Sequence, residues 1–393
     1  MIKAIIRFSA NNRFIVLLMT AVAVGYGLYV VMHIPVDAIP DLSDTQVIIY
    51  SRWDRSPNVM EDQVTYPIVT ALLGAPNVKV IRGFSDFGYS YVYVIFKDGT
   101  DIYWARSRVV EYLSKIQPLL PAGVKTELGP DATGVGWVFQ YALVDDSNTH
   151  SLSDLRSFQD WNLRYRLQAV SGVAEVASIG GFVQQYQVTV DPNRLKSYGL
   201  AIMDVSAAVR ASNNEVGGRL LEFAGKEFMV RGRGYVRAKE DLEKVVLKTD
   251  ERGTPVLIRD VGEVSLGPEL RRGVSDLDGM GDTVGGIVVM RHGENARAVI
   301  ERVRERLKEV EPSLPKGVRV VTTYDRSELI DRSIDNLKHE LALEMLVVSL
   351  VILVFLWHIP SAIVPIVTIP VSVLLAFIPM ALMGISSNIM SLA

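Results

Sequence analysis

The sequence predicts an α+β membrane protein. Transmembrane helices bracket a large water-soluble body of two split β-α-β (ferredoxin-like) units, the second interrupted by a small α+β insertion. Three observations predict it. Phe14–Ile34 reads FIVLLMTAVAVGYGLYVVMHI, without Asp, Glu, Lys or Arg. Two further apolar runs come only after residue 340, at 341–357 and 361–383. Between them, strand-like and helix-like stretches follow the order β-α-β-β-α-β, and that order begins a second time.

The first run sets the frame. About 20 apolar residues at ~1.5 Å rise cross a hydrocarbon layer of ~30 Å, and a soluble core helix need not be apolar on every face. Lys3, Arg7 and Arg13 give the start the look of a signal peptide. However, the run is about twice the length of a normal apolar signal core, and no small-x-small site precedes Pro35, which favours an uncleaved anchor. The basic end stays in the cytoplasm, so the body lies outside, in the periplasm of a bacterium with two membranes. The link His358–Pro360 carries no Lys or Arg, so the orientation rests on the N-terminus.

After Pro40 the period changes to two. Gln46–Ser51 is strand-like; Pro57–Leu73 is helix-like, with Ser56 at the cap and Pro57 at the first helical position. Val78–Ile81 and Tyr89–Phe96 form a strand pair around a Gly83–Gly88 connection. A helix over Asp101–Ile116 and a strand at Val124–Leu128 complete the first unit. The second opens with a strand at Gly136–Val144, a helix over Ser151–Val170 capped by Ser151, and a strand at Val173–Ser178. It resumes with a strand at Thr283–Arg291, a charged amphipathic helix at Ala296–Val310 and a strand at Val318–Thr323. The insertion, from about Phe182 to Arg272, holds strands at Gln184–Val190 and Glu227–Val230 and a helix at Met203–Ser212. The plainer alternative is two unrelated α+β domains in tandem. Ser327–His339 is amphipathic and runs unbroken into the second apolar run, either a rigid connection or a mere joint.

Composition narrows the chemistry. With 41 Lys and Arg against 44 Asp and Glu, nothing points to nucleic acid as a partner. No cysteine is present, which removes disulfides, zinc-thiolate sites and cysteine nucleophiles together. There is no phosphate-binding GxxxxGK[ST], no GxSxG elbow and no HExxH. The five histidines, His33, His150, His292, His339 and His358, are scattered without ligand spacing. No catalytic residue and no cofactor are expected. None of the three apolar runs holds Asp or Glu in its middle, and Glu344, near the start of the second, reads as interfacial, so no proton relay is expected here. Met19, Met32, Met345, Met380, Met383 and Met390 lie in or beside the runs. Thioether sulfur is a soft ligand for Cu(I) or Ag(I), but methionine is also common apolar filler.

Specific resemblance begins at HIPVDAIPDLS, His33–Ser43, followed by TQVIIYS. It continues through QVTYPIVTALL (63–73), SYVYVIFKDGTDIYWARSRVVEYL (90–113), ELGPDATGVGW (127–137), TTYDRSELIDRSIDNL (322–337) and NIMSL (388–392). The chain resembles the resistance–nodulation–division (RND) efflux pumps of the heavy-metal branch, and the copper/silver members more than the cobalt–zinc–cadmium ones. That resemblance implies an inner-membrane, multi-pass, proton-driven exporter of heavy-metal cations, Cu(I)/Ag(I) or alternatively divalent Co/Zn/Cd. It implies a homotrimer joined to a periplasmic adaptor (a membrane fusion protein) and an outer-membrane channel. It is a transporter and not an enzyme.

The same resemblance divides the chain. A cytoplasmic or interfacial N-terminus (1–13) and a first span (14–34) precede porter subdomain 1 (35–130). Porter subdomain 2 (131–181 and 273–326) encloses a docking subdomain (182–272). A connecting helix (327–340), spans at 341–357 and 361–384 and an end at 385–393 follow. The chain corresponds to an N-terminal half, so a non-transporting, membrane-anchored interaction module is the alternative for the chain taken alone. Two positions carry over: Arg82 in IRGFS, matching a charged residue lining the periplasmic cleft, and Met390 in NIMSL, matching a membrane methionine of a metal relay.

Overall fold

The computed structural model describes residues 2–249, 253–271 and 273–392. The segment limits expected at Met1, Arg272 and Ala393 lie outside the described residues.

Helix α1 (Ile2–Asn11) is not predicted by the sequence, in which this stretch reads only as a charged end. It stops because Asn12 leaves helical geometry, at φ −117° and ψ 46°, and α2 (Arg13–His33) starts afresh. Strand β1 (Gln46–Arg52) opens the first sheet. The expected helix 57–73 forms as α3 (Pro57–Met60) and α4 (Tyr66–Leu72) joined by a π-turn at Glu61–Thr65. Ser56 occupies the cap position, but its side chain makes no capping bond. The π-turn precedes Pro67, which has no N–H to donate to a carbonyl one turn back.

Strand β2 (Val78–Asp86) is longer than expected and pairs with β3 (Tyr89–Phe96) down to Asp86↔Tyr89. The expected Gly83–Gly88 loop therefore shrinks to a tight turn closed by Gly88 at φ 78°. Gly83 sits in the ladder because a Cβ there would lie 2.7 Å from Thr65 Cγ2 beneath the helix. Helix α5 (Ile102–Ile116) is capped by Asp101, whose carboxylate accepts from Trp104 N at 2.7 Å. With β4 (Lys125–Leu128) the first sheet has the order β2-β3-β1-β4, antiparallel throughout. Its core packs Val47, Ile49, Val92 and Val94 under Met60, Ile68 and Val109.

Strand β5 (Trp137–Asp145) begins the second sheet. Helices α6 (Leu152–Phe158) and α7 (Arg164–Gln168) are again joined by a π-turn, Gln159–Leu163. After β6 (Val173–Gly180) the chain makes β7 (Gln184–Val190), α8 (Pro192–Tyr198), α9 (Ile202–Ser212), the hairpin β8 (Val216–Phe223) and β9 (Lys226–Gly232), and α10 (Lys239–Glu243). It continues with β10 (Val246–Thr249), β11 (Pro255–Leu257), α11 (Ile258–Val261) and β12 (Gly262–Pro268). Strand β13 (Val284–Met290), helix α12 (Ala296–Val310) and strand β14 (Val318–Asp325) then return to the second sheet, whose order is β14-β5-β13-β6. Counted within each sheet, both follow the order fourth, first, third, second.

Helix α13 (Arg326–Leu356) follows β14 without a loop. Trp357 in the left-handed region at φ 45° ends it, and His358 precedes α14 (Ile359–Leu382); the short α15 (Ile389–Leu392) closes the chain. Among the described residues, two helices, Arg13–His33 and Ile359–Leu382, are long and apolar enough to cross a membrane. Helix α14 packs against both α13 and α2. The approach to α2 depends on Gly27, where a Cβ would lie 3.0–3.1 Å from the Leu374 side chain and carbonyl.

The chain divides into two units: Met1–Thr149, Gln159–Ile179 and Gly285–Ala393 form one, and His150–Phe158 with Gly180–Val284 form the other. Within the second, β7 pairs antiparallel with β12, and small cores gather around Val205 with Val261 and around Ile258 with Val264. Its hairpin β8–β9 is exposed at every residue on both strands.

Candidate functional site

A buried polar joint ties the strand-bearing part of the first unit to the apolar helices. Asp325 ends β14 and caps α13, one carboxylate oxygen accepting from Ser327 N at 2.8 Å and Ser327 Oγ at 2.7 Å. Arg304 of α12 holds its other oxygen. The next residue, Arg326, is buried, and its Nη1 donates to both Asp37 oxygens at 3.3 Å while Nη2 donates to the Trp137 carbonyl at 2.8 Å. The Asp37 segment is tied on: Asp37 N donates to Ser387 O and Ser387 N to Pro35 O, each at 3.0 Å.

The sequence folds this way because three side chains of one short motif divide the work. In Asp325-Arg326-Ser327, Asp caps, Arg reaches out and Ser satisfies the cap. Four stretches are thereby brought together: HIPVDAIPDLS through Asp37, GVGW through Trp137, YDRS through Arg326, and the residue before NIMSL through Ser387. The joint does no covalent chemistry. A buried guanidinium fixed by two partners on different segments holds those segments in one arrangement.

A second cluster lies between α13 and α14. Glu340 and Glu344, one turn apart, share the wall of a cavity of about 820 Å³ with Arg332, Asn336, Phe377 and Met380. Glu344 is the acidic residue expected from the sequence; Glu340, four residues earlier and so on the same helix face, joins it.

A second cavity, of about 670 Å³, is walled by Tyr50, Arg52, Trp53, Arg55, Lys125 and Glu127. The Tyr50 hydroxyl donates to Glu127 at 2.5 Å across the β1–β4 pair, and Arg55 lies over the Trp53 ring at 4.7 Å. Burial, then the hydrogen bond to the Glu127 carboxylate, pushes the Tyr50 hydroxyl up to about 12.

Arg82 lies on β2, the sheet's edge strand, opposite Tyr93 and exposed. Met390 lies in α15 with its side chain exposed, its backbone N–H donating to Asn388 Oδ1 at 3.0 Å. The two stand on separate elements. Among the described residues, no three or more His, Asp or Glu side chains are grouped to hold a metal ion.

Known proteins are similar to this one over the whole chain. The cation efflux system protein CusA of Escherichia coli K12 is 53% identical over 393 residues, all of this chain and 38% of the relative. The putative cation efflux system protein SilA of Salmonella typhimurium is also 53% identical, with the same coverage. The cobalt-zinc-cadmium resistance protein CzcA of Cupriavidus metallidurans is 37% identical, over 100% of this chain and 37% of its own length. A crystal structure of a heavy metal efflux pump superimposes with a TM-score of 0.86 at 34% identity, over 98% of this chain and 38% of that one. The chain thus spans about two fifths of the curated relatives it matches, and its fold of mixed helix and sheet is that of a heavy-metal efflux pump. The AcrB/AcrD/AcrF family profile matches residues 5–393, and the chain belongs to that family.

Proposed function

We propose that the whole protein exports heavy-metal cations, Cu(I) and Ag(I) before divalent ions, across the cell envelope as a proton-coupled RND pump. The observation that carries this reading is the gap in identity, 53% to CusA and SilA against 37% to CzcA. The soft thioethers in and beside the apolar helices suit monovalent, polarisable ions.

In this reading α2, the distal half of α13 and α14 span the inner membrane, and the sheets lie in the periplasm. The shared strand order supports two porter subdomains of one origin, the second carrying residues 182–272 as the docking insertion. The exposed hairpin β8–β9, with Leu220, Phe223 and Phe228 uncovered, suits contact with other copies in a homotrimer. A periplasmic adaptor and an outer-membrane channel complete the path. Arg82 lines the cleft the cation passes, and Met390 belongs to a relay of sulfur ligands. Because α13 is a single helix clamped at Arg326, a shift of its membrane half moves the periplasmic sheet with it.

The test is metal resistance conferred by the full-length gene in a sensitive strain. Rescue on silver and copper is the expected result; rescue on zinc but not silver overturns the choice of metal. The chain taken alone reads as a non-transporting anchored module, since it spans 38% of CusA. Proton-driven metal flux into vesicles carrying only this chain would overturn that second reading.

A further inference from the structure

A cavity of about 790 Å³ lies within the first unit where α2 and α14 end. Its two sides differ in chemistry. Val30 of α2, Ile34 just after it, Ala381 of α14 and Ile385 beyond it form an apolar wall. Asp41, Arg291, His292 and Glu294 form the other, with acidic and basic side chains interleaved. Tyr26 and Tyr29 sit on the α2 side, and the Tyr29 ring stacks on His33 at 4.2 Å. Aromatic rings at the end of an apolar helix mark the depth of lipid headgroups.

We propose that this cavity is a phospholipid site selective for a primary-amine headgroup, with an acyl chain along α2 and α14. Each part of an ethanolamine lipid has a complement. The ammonium donates to Asp41 and Glu294, the phosphate accepts from Arg291 and His292, and the chain covers the apolar wall. Asp41 is prepared for this. Burial pushes its carboxyl up, but hydrogen bonds from Thr133 and Ser43 and the nearby His292 outweigh that and hold it below the usual carboxylate range. His292 Nδ1 lies 3.8 Å from Asp41, and Arg291 Nε 3.6 Å from Asp131, so basic and acidic side chains alternate along this wall. A trimethylammonium headgroup has no N–H to donate and leaves the carboxylates unmatched. A hard metal cation is the poorer occupant, since among the described residues no three or more His, Asp or Glu are grouped to hold one.

The inference goes beyond transport and rests on that reading only for α2 and α14 crossing the membrane. The test is photo-labelling of the full-length protein in nanodiscs with diazirine lipids carrying ethanolamine, choline or glycerol headgroups, mapped by mass spectrometry. Labelling at Leu17 and Leu18 by all three lipids reports that α2 spans the bilayer, independently of the site. At Tyr26, Ile34 and Ile385 the ethanolamine lipid is expected to exceed the choline lipid by about tenfold, the size of one charge-assisted hydrogen bond. Asp41→Asn with Glu294→Gln is expected to abolish that preference, and Ile385→Trp, which fills the apolar end, to lower labelling by all lipids. Equal labelling by ethanolamine and choline lipids, preference for the glycerol headgroup, or a preference that survives Asp41→Asn with Glu294→Gln would overturn the proposal.

Discussion

Arg326 donates to both carboxylate oxygens of Asp37 at 3.3 Å, although 289 residues separate them in the chain. The Arg326 side chain is 5% exposed and that of Asp37 17%, so the pair lies largely outside bulk water. Removing one partner strands the other, and that costs more than the pair itself contributes. Arg326→Met or Asp37→Leu is expected to destabilise the protein by roughly 3–5 kcal/mol, with the double variant recovering much of the loss. Thermal unfolding of both single variants and the double variant decides it. Additive losses would show that the two residues act apart.

Tyr50 offers a pH signature. Its hydroxyl is pushed up to about 12 by burial and by Glu127. The folded state therefore holds this proton more tightly than the unfolded chain does. The associated stability is fully present below the ordinary tyrosine pKa of about 10 and disappears as pH rises toward 12. Burial holds the Tyr141 hydroxyl up as well, so phenolate absorbance should show more than one late-titrating tyrosine, and Glu127→Gln should move down the midpoint that belongs to Tyr50. An unchanged midpoint would exclude the hydrogen bond as a cause.

Gly27 controls how closely α2 approaches α14. With Leu374 already at 3.0 Å from the position of a Cβ, Gly27→Val forces the helices apart. The expected loss is about 1–3 kcal/mol, read from unfolding in detergent, and Leu374→Ala in the same chain should restore part of it.

Gln159 sits in the second π-turn, fully buried, and accepts from the Tyr141 hydroxyl at 2.8 Å. Gln159→Leu leaves that hydroxyl without its acceptor and should cost about 1–3 kcal/mol. Adding Tyr141→Phe should recover stability, which a purely steric effect would not do.

Local features were legible in the sequence because their causes are local. Asp101 stands directly before an amphipathic stretch, and it caps the helix that follows. Two of the three apolar runs, at 14–34 and 361–383, carry their own signature of length and absent charge, whereas 341–357 holds Glu344 and continues a longer helix. What stayed hidden depends on partners remote in sequence. Nothing near Arg326 names Asp37, and nothing near Gly83 shows that the strand continues because Thr65 lies against it. Helix α1 was obscured for another reason: Lys3 and Arg7 read equally well as a charged leader or as one face of a helix. Of the site residues, the resemblance picked out Arg82 and Met390, while the convergence of Asp37, Trp137 and Arg326 needed three dimensions.

The wide turn at Glu61–Thr65 contains a residue that a regular helix would not hold. Met60 before it and Ile68 and Leu72 after it all face the same core. Loss of a single codon within the turn would place Ile68 seven residues after Met60, on the same face of an ordinary helix, so Ile68 and Leu72 would still meet the sheet. Deletion of one residue should therefore be better tolerated here than within the regular helix at 102–116, where it turns every later side chain by about 100°. A deep mutational scan that includes in-frame codon deletions would display that asymmetry between 61–65 and 102–116.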